Sequence, residues 1–467
     1  MPTPNTHFGP DALREMLRPI NAIYFLGIGG VSMSSLAVLT KGQGLRVGGY
    51  DRTASPLTRK LEASGIRIDY TPDASHLDGY GAVVYTVAIA PDQPEYLEAI
   101  RRGIPLISRA DYLGYLMSDY GERIGFAGTH GKSTCTCMCA QLFMDAGMDP
   151  TVLSGASMPT LDGTFRAGAR DYMIFEACEY MDSFLDFRPS IAVVLNTEWD
   201  HVDYFHSLEQ LRDSFAAYAS LVGRQGLAIY NADDPQTVQA MESVNARLVS
   251  FGRFTPSADF YSANERLENG YARFTLMFRG KPLTEITLRI PGEHNIYNAL
   301  ATAAVARCCG LCSRTIAEGV HHFTGADRRM QYKGRLNGAA VYDDYAHHPT
   351  EVAATVREAA LLGGGRLICV FQPHTYSRTA TLFDRYVEAL SPADTVILAP
   401  IYAARETDDR RVNSARLARA VGDNAVALGG LPDIAAHLTA IVRPGDTVVI
   451  MGAGNIDALY PLLPLTP

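Results

Sequence analysis

Short apolar runs alternate with amphipathic stretches along most of this chain. In the first quarter the runs lie at 23–26, 45–47, 66–68 and 82–85, and helical patterns at 56–63 and 95–102 separate some of them. Strands that alternate with helices build βαβ units around a parallel sheet. The pattern therefore predicts an α/β segment at the start of the chain.

The same alternation of predicted strands and helices occurs twice more along the chain. Predicted strands at 124–127, 172–177, 191–195 and 227–230 precede a stretch of alternating apolar and polar residues at 258–290, which is typical of hairpins, and a helix at 295–309. Five further strands are predicted at 339–342, 367–371, 395–398, 425–428 and 447–450. We predict an α/β protein of three domains, at 1–110, 111–329 and 330–467, with ligands at strand ends and domain clefts.

Length and composition agree with this division. A chain of 467 residues is too long for one core, and 47% hydrophobic with 19% charged residues is typical of a soluble globular protein. The net charge of −9 argues against a nucleic-acid surface. Neither a signal peptide nor a membrane span is predicted, and the eight cysteines suggest reduced thiols in a cytoplasmic protein.

A glycine-rich loop follows the predicted strand at 124–127. Its sequence, GTHGKST at 128–134, opens a helix predicted at 135–146, so backbone N–H groups and the helix dipole would favour a phosphate there. Lys132 would reach the β- and γ-phosphates, and the Ser133 hydroxyl would bind Mg²⁺. Because the loop lacks the earlier glycine of a full P-loop, an ordinary loop with a surface lysine is the alternative.

A second glycine-rich loop follows the first predicted strand. Gly27, Gly29 and Gly30 open a helix, and Asp51 stands about 20 residues further on. Ser32 replaces the third glycine of a dinucleotide fingerprint. We expect a nucleotide diphosphate other than NAD at this loop, with a tight structural turn as the alternative.

Acidic residues end two of the predicted central strands. Glu176 and Glu179 follow one strand, and Glu198, Asp200, His201 and Asp203 follow the next. Mg²⁺ prefers oxygen ligands together with phosphate oxygens, so Glu176 and the group around His201 are candidates for two metal positions. Solvated acids and a packed core histidine are the alternatives.

Three further polar groups stand at helix starts or strand ends. His294, Asn295 and Asn298 could cap a helix or contact a base. The segments at 343–348 and 372–378 carry histidines and Arg378 at strand ends, which suits a carboxylate ligand. A surface basic cluster is the alternative for the latter.

Together these motifs resemble the Mur ligases, the ATP-dependent amide-forming enzymes of peptidoglycan assembly. The motifs that carry the resemblance occur in order over nearly the whole chain: GIGGVSMSS (27–35), GTHGKST (128–134), EACEYMDSF (176–184), NTEWDHVDYF (196–205), GEHNIYNA (292–299), GADRR (325–329), DDYAHHPTE (343–351), FQPHTYSRT (371–379) and GAGNI (452–456). The resemblance implies a Rossmann-like UDP-sugar domain, a central P-loop ATPase domain with a parallel sheet plus a small antiparallel sheet, and a C-terminal Rossmann-like amino-acid domain.

The resemblance also implies a role for each motif residue. The UDP-sugar residues would be Gly27, Gly29, Gly30, Ser32, Met33 and Asp51. The ATP residues would be Gly128, Thr129, His130, Gly131, Lys132, Ser133, Thr134, His294, Asn295, Asn298 and Asp344. The metal ligands would be Ser133, Glu176 and His201. The amino-acid residues would be Tyr345, His347, His374 and Arg378. The catalytic set would be Lys132, Glu176, His201, His347 and Arg329.

The implied reaction joins L-alanine to UDP-N-acetylmuramate with ATP and Mg²⁺, through an acyl phosphate. The alternatives are a ligase that attaches a recycled murein peptide to the same sugar nucleotide, a nucleotide-binding regulator without catalysis, and, least favoured, a nicotinamide oxidoreductase. Thr375 stands where some relatives carry a second arginine, and the absence of lysine between Asp203 and Arg224 predicts no carbamylated lysine. We expect a cytoplasmic monomer or weak homodimer with no nucleic-acid or membrane partner.

Overall fold

The computed structural model describes residues 3–161, 163–202, 204–268, 270–404, 406–408 and 410–467. They form three sheets flanked by helices, so the predicted α/β fold class is confirmed. Among these residues, no helix is both long and apolar enough to cross a lipid bilayer.

The first sheet is parallel throughout, in the order β3-β2-β1-β4-β5. Its strands are β1 (Ala22–Leu26), β2 (Arg46–Tyr50), β3 (Arg67–Asp69), β4 (Ala82–Tyr85) and β5 (Leu106–Ser108). Its helices are α1 (Pro10–Leu17), α2 (Val31–Gly42), α3 (Pro56–Ala63), α4 (Pro94–Arg102) and α5 (Arg109–Met117). Strand order reverses at β1, which opens a crevice at the loop after β1, where ligands bind in such sheets.

The middle sheet has ten strands in the order β15-β14-β13-β12-β11-β10-β6-β9-β7-β8. They are β6 (Glu122–Ala127), β7 (Thr151–Met158), β8 (Gly163–Arg166), β9 (Tyr172–Glu176), β10 (Ile191–Val194), β11 (Leu227–Asn231), β12 (Arg247–Gly252), β13 (Phe260–Glu268), β14 (Tyr271–Phe278) and β15 (Lys281–Pro291). The helices are α6 (Lys132–Asp145), α7 (Leu208–Ser220), α8 (Pro235–Met241), α9 (His294–Cys308) and α10 (Ser313–His322). The antiparallel strands β13–β15 join the parallel part through the β12–β13 pair.

The third sheet follows the order β16-β17-β21-β18-β19-β20, parallel except for β16. Its strands are β16 (Gln331–Leu336), β17 (Ala339–Asp344), β18 (Leu367–Phe371), β19 (Thr395–Leu398), β20 (Ala425–Ala427) and β21 (Thr447–Met451). Its helices are α11 (Pro349–Leu361), α12 (Tyr376–Thr381), α13 (Phe383–Leu390), α14 (Ser414–Val421) and α15 (Leu431–Ile441). β21 pairs with both β17 and β18, so the two strands whose ends carry the predicted carboxylate site are not neighbours.

The three sheets are joined differently. One apolar core combines Phe25 and Leu36 of the first sheet layer with Phe175 and Phe215 of the middle one. The third sheet has its own two cores, and the contacts described below between it and the middle sheet are largely polar. Because apolar burial is the main stabilising term, the first two units are held together more firmly than the third is held to them.

Candidate active site

The loop between β6 and α6 is fixed from several sides. Gly131 adopts a φ of 89° and precedes the first residue of α6, a conformation that favours glycine. The Asn196 side chain, at the end of β10, accepts from the His130 N–H at 2.8 Å and donates to the His130 carbonyl at 3.0 Å. The buried Thr129 hydroxyl donates to the Glu198 carbonyl at 2.8 Å. The loop is therefore held in a shape that leaves the start of α6 as an anion site.

Lys132 lies in the mouth of this loop. Its ammonium donates to the Thr129 carbonyl at 3.1 Å and pairs with Glu179 at 3.1 Å. Burial by itself lowers the pKa of Lys132, but the acidic groups around it, above all Glu179 together with Glu176, hold the pKa above its ordinary value. The lysine therefore carries its charge where the phosphates are predicted.

Glu176, at the end of β9, meets the second residue of α6. Its Oε2 accepts from the Ser133 hydroxyl at 2.8 Å and from the Gly155 N–H at 2.9 Å. Arg329 donates to the Ser133 hydroxyl at 3.4 Å, reaching it from 196 residues away. β6 lies between β9 and β10 in the sheet, so the ends of these three strands place the phosphate loop between two groups of polar residues.

His201 pairs with Glu179 and not with Glu176. Its Nε2 lies 3.3 Å from Glu179 Oε1, and its ring stands 5.0 Å from that of Tyr180. Burial alone would lower the pKa of His201, but the hydrogen bond to Glu179 outweighs burial and the pKa is raised. Burial alone would raise the pKa of Glu179, but Lys132 and His201 outweigh it and the pKa is lowered. Glu179 thus links Lys132 to His201, a role that was not predicted from the sequence. Asp203, the last acid of this segment, lies outside the described residues.

A cavity of about 520 Å³ extends from the phosphate loop toward α9. The predicted base-binding residues line it, together with groups from the third sheet layer: His130, Gly131, Thr134, His294, Asn295, Asn298, Arg329 and Asp344. Asn298 donates to Asn295 Oδ1 at 2.8 Å, and Asn295 donates to the Pro291 carbonyl. The volume suits a nucleoside.

Asp344, at the end of β17, is buried at the edge of this cavity. Its oxygens accept from the Met330 and Ala346 N–H groups, both at 2.8 Å, and from the Thr355 hydroxyl at 3.2 Å. Burial raises the pKa of Asp344 to about 6 despite these bonds. The carboxyl is held rigidly by the backbone around it.

The predicted amino-acid residues lie together where the third sheet faces the middle one. The His347 and His374 rings are 5.9 Å apart, and the Tyr345 ring is 5.5 Å from that of His347. Burial lowers the pKa of His347 and of His374 to about 4, so both rings are neutral near pH 7. Arg378 pairs with Asp200 at 2.9 Å, and both side chains are buried.

Ion pairs across the interface were not predicted. His130 contacts Glu198 at 2.9 Å and Glu351 at 3.1 Å, and Thr350 donates to Glu198 at 2.7 Å. Burial lowers the pKa of His130, but the two carboxylates raise it to about 9. Arg385 also pairs with Glu198. These contacts connect the phosphate loop to α11 and α13, and no sequence spacing identifies partners 221 residues apart.

The loop after β1 has fewer polar neighbours. Gly27 has a φ of 81°, and the Asp51 carboxylate accepts from the Gly29 N–H at 2.8 Å. The Met33 side chain is buried in the core, so a contact with a diphosphate would use its backbone. Arg109, which the sequence analysis did not single out, donates to the Ser32 hydroxyl at 3.3 Å and brings a cation to this loop.

Comparison with known proteins places these features in one family. Three family models match in succession: "Mur ligase family, catalytic domain" at 22–121, "Mur ligase middle domain" at 126–306 and "Mur ligase, glutamate ligase domain" at 328–454. The UDP-N-acetylmuramate–L-alanine ligase of Agathobacter rectalis is 40% identical over 95% of this chain and 97% of its own length. That of Caldicellulosiruptor bescii is 38% identical over 94% and 97%.

Solved structures agree with the sequence relatives. The UDP-N-acetylmuramate–alanine ligase of Thermotoga maritima matches with a TM-score of 0.79 and 25% identity, over 94% of this chain and 97% of that one. A murein peptide ligase from Psychrobacter arcticus shares the fold, with a TM-score of 0.73 and 24% identity over 96% and 99%. With relatives near 40% identity along almost its whole length, the chain belongs to the Mur ligase family.

Proposed function

We propose that this chain joins L-alanine to the carboxylate of UDP-N-acetylmuramate, with ATP converted to ADP and phosphate. One observation carries the proposal. Lys132, Ser133, Glu176 and Arg329 meet at one edge of the middle sheet, in a chain 38–40% identical to proteins that bear this ligase name. The product, UDP-N-acetylmuramoyl-L-alanine, is a peptidoglycan precursor, and we infer a cytoplasmic role in cell-wall synthesis.

A carboxylate must be activated before an amine can attack it. Transfer of the γ-phosphoryl group of ATP to the carboxylate oxygen releases ADP and gives an acyl phosphate. The neutral amine of L-alanine then adds to the carbonyl carbon. The tetrahedral adduct expels phosphate and loses one N–H proton, taken up by the departing phosphate or by water, to leave the amide. Phosphoryl transfer depends mainly on positioning and charge neutralisation. We assign that work to Lys132 and Arg329, because each brings a cation to the phosphate loop.

The residues beside the loop fit Mg²⁺. The Ser133 hydroxyl and Glu176 carboxylate are oxygen ligands 2.8 Å apart at the start of α6. Glu179 and His201, 3.3 Å apart, are a second pair of potential ligands. When bound, Mg²⁺ would neutralise phosphate charge. The Ser133 hydroxyl donates to Glu176 in this structure, and both oxygens would be available to the cation.

The amino acid would bind between the middle and third sheets. Tyr345, His347, His374 and Arg378 lie there together. Because burial lowers the pKa of His347 to about 4, we assign it to orienting the amine by a hydrogen bond; it is too weak a base to hold a proton near pH 7. The sugar nucleotide would bind at the loop after β1, with Gly27, Gly29, Gly30, Ser32 and Met33 at the diphosphate and Asp51 near the uridine.

Phosphate release tests the proposal. The purified chain is incubated with ATP, Mg²⁺ and UDP-N-acetylmuramate, and L-alanine, glycine, L-serine or a murein tripeptide is added in turn. Release that needs both the sugar nucleotide and L-alanine is expected. Release only with the tripeptide would assign the chain to peptide recycling, and no release with any of them would reject a ligase. Because one methyl group discriminates by only about 1–3 kcal/mol, some turnover with glycine is compatible with the proposal.

A further inference from the structure

Glu358 is a buried carboxyl group in α11 that has no partner. It is 3% exposed, and neither carboxyl oxygen has a hydrogen-bond partner among the residues that the structure describes. The nearest basic atom is Nδ1 of His294, 3.8 Å away, and burial lowers the pKa of His294 to about 4, so that ring is neutral. A buried acid without a donor or a counter-ion is unfavourable, and a native structure rarely keeps one without a use.

This carboxyl lines the cavity beside α9. A Cβ added to Gly292 would lie 2.5 Å from Glu358 Oε2 and 2.6 Å from His294 Cε1, so the glycine allows the acid to approach the first residue of α9 closely. Pro291, Phe323 and Ala354 line the same cavity. Glu358 therefore lies at the mostly apolar end of the cleft that also contains Asn295 and Asn298, with both carboxyl oxygens shielded from solvent.

Three other side chains at this end already accept hydrogen bonds. Asn295 Oδ1 accepts from Asn298 at 2.8 Å, and Asn298 Oδ1 accepts from the Cys135 thiol at 3.3 Å. Asp344 Oδ1 and Oδ2 accept backbone N–H groups. Adenine presents ring-nitrogen acceptors and one exocyclic donor, its 6-amino group. That amino group needs an acceptor, and Glu358 offers two oxygens without donors.

We propose that Glu358 recognises the adenine of ATP by accepting a hydrogen bond from its 6-amino group. The inference rests on the proposed function only in taking ATP as the nucleotide of this cleft. It makes Glu358 a specificity-determining residue contributed by the third sheet layer, so that α11 reads the base while the middle sheet holds the phosphates. Either protonation state of the carboxyl keeps an acceptor oxygen available.

Binding calorimetry with the full chain and Mg²⁺, without the other substrates, tests this assignment. ATP is compared with purine riboside triphosphate, which lacks only the 6-amino group. Glu358→Ala and the volume-filling Glu358→Leu should each weaken ATP about tenfold or more, the size expected for a hydrogen bond to an acidic group. Glu358→Gln keeps an acceptor and should stay within about threefold of the unchanged chain. Purine riboside triphosphate should bind all four proteins equally.

The matched control is Glu388→Ala, an exposed glutamate on α13 of the same layer, which should leave both affinities unchanged. Equal losses for ATP and purine riboside triphosphate would show a structural role and overturn the inference. A loss that disappears with 2′- or 3′-deoxy ATP would assign Glu358 to the ribose and overturn it as well, as would unchanged ATP binding. Because this experiment measures binding and forms no amide, its result can be interpreted even if the ligase proposal fails.

Discussion

The loops after β1 and β6 share one backbone design and differ in their surroundings. Each follows a buried parallel strand, contains at least one glycine with positive φ and opens a helix. Around the first loop, Asp51 accepts from the backbone and Arg109 reaches Ser32. Around the second, Lys132 and a set of acids gather from the neighbouring strand ends.

The difference indicates how one local motif supports two tasks. A glycine-rich loop at a helix start binds an anion whatever lies beside it. Chemistry on that anion needs charges that stabilise its transition state, and those come from adjacent strands and from another domain. We therefore assign binding to the first loop and catalysis to the second, and the experiments below separate the two.

The largest expected effect is at Lys132. Lys132→Ala should lower turnover about 10³-fold or more, because a fixed cation in a phosphoryl-transfer site is worth that much, while UDP-N-acetylmuramate still binds to the other loop. Phosphate release measures the first quantity and calorimetry the second. Substantial remaining turnover would contradict the catalytic assignment, and loss of sugar-nucleotide binding would indicate that the variant is misfolded.

The acids beside the second loop should come next. Glu176→Gln keeps the side-chain shape and removes the charge of the proposed metal ligand, so turnover should fall about 10²-fold and the Mg²⁺ concentration for half-maximal rate should rise. His201→Ala should also lower turnover and raise the Mg²⁺ concentration for half-maximal rate. Titrating Mg²⁺ at saturating ATP checks both. An unchanged Mg²⁺ dependence in either variant would remove that residue from the metal site.

A smaller and different effect is expected at Gly27. Its φ of 81° is strained for other residues, and an added Cβ would lie 2.7 Å from Thr86 Cγ2. Gly27→Ala should cost about 1–2 kcal/mol of local strain and raise the KM for UDP-N-acetylmuramate about tenfold, with little change in the KM for ATP. Steady-state kinetics in both substrates decide this. A raised KM for ATP alone would reverse the roles of the two loops.

Many helices and strands could be predicted because their capping residues and apolar runs coincide with segments that are buried in the structure. The predicted helix at 56–63 matches α3, where Ser55 caps the first turn and Pro56 begins it. β18 and β19 also match their predicted bounds, since their apolar runs are buried. β8 and β16 were not predicted: β8 is half-buried throughout, and β16 is an edge strand that mixes exposed with buried positions.

Several residues named from the sequence lie together in the structure, but the network of contacts among them could not be predicted. Short motifs pointed to Lys132 and Glu176, and in the structure Lys132 follows β6 while Glu176 ends the neighbouring strand β9. The sequence could not identify the Arg378–Asp200 pair, whose members are 178 residues apart, or the insertion of β21 between β17 and β18. Glu358 lies in an ordinary amphipathic helix, and only burial without a partner distinguishes it. Long-range pairing of this kind is set by tertiary packing, which a single sequence does not display.

The smallest expected effect concerns the contact between the second loop and the third sheet layer. Glu198 and Glu351 raise the pKa of His130 to about 9, above the value of about 6.5 for an unfolded chain. A group whose pKa is raised on folding contributes stability that is complete below pH 6.5 and is lost as the pH rises through 9. The thermal unfolding temperature of the substrate-free chain should therefore fall over this window by a few degrees.

His130→Ala should reduce that fall, because its two carboxylate partners remain ionised throughout the window and cannot produce it. The part contributed by His201, whose pKa is also raised, should remain. His322→Ala removes an exposed histidine that pairs with Asp145, the last residue of α6, and serves as the matched control. Its unfolding temperature should fall with pH as in the unchanged chain. An identical pH profile in His130→Ala and the unchanged chain would mean that the histidine does not link the layers. The contact between the second loop and the third sheet layer would then depend on the bonds of Glu198 to Thr350 of α11 and Arg385 of α13.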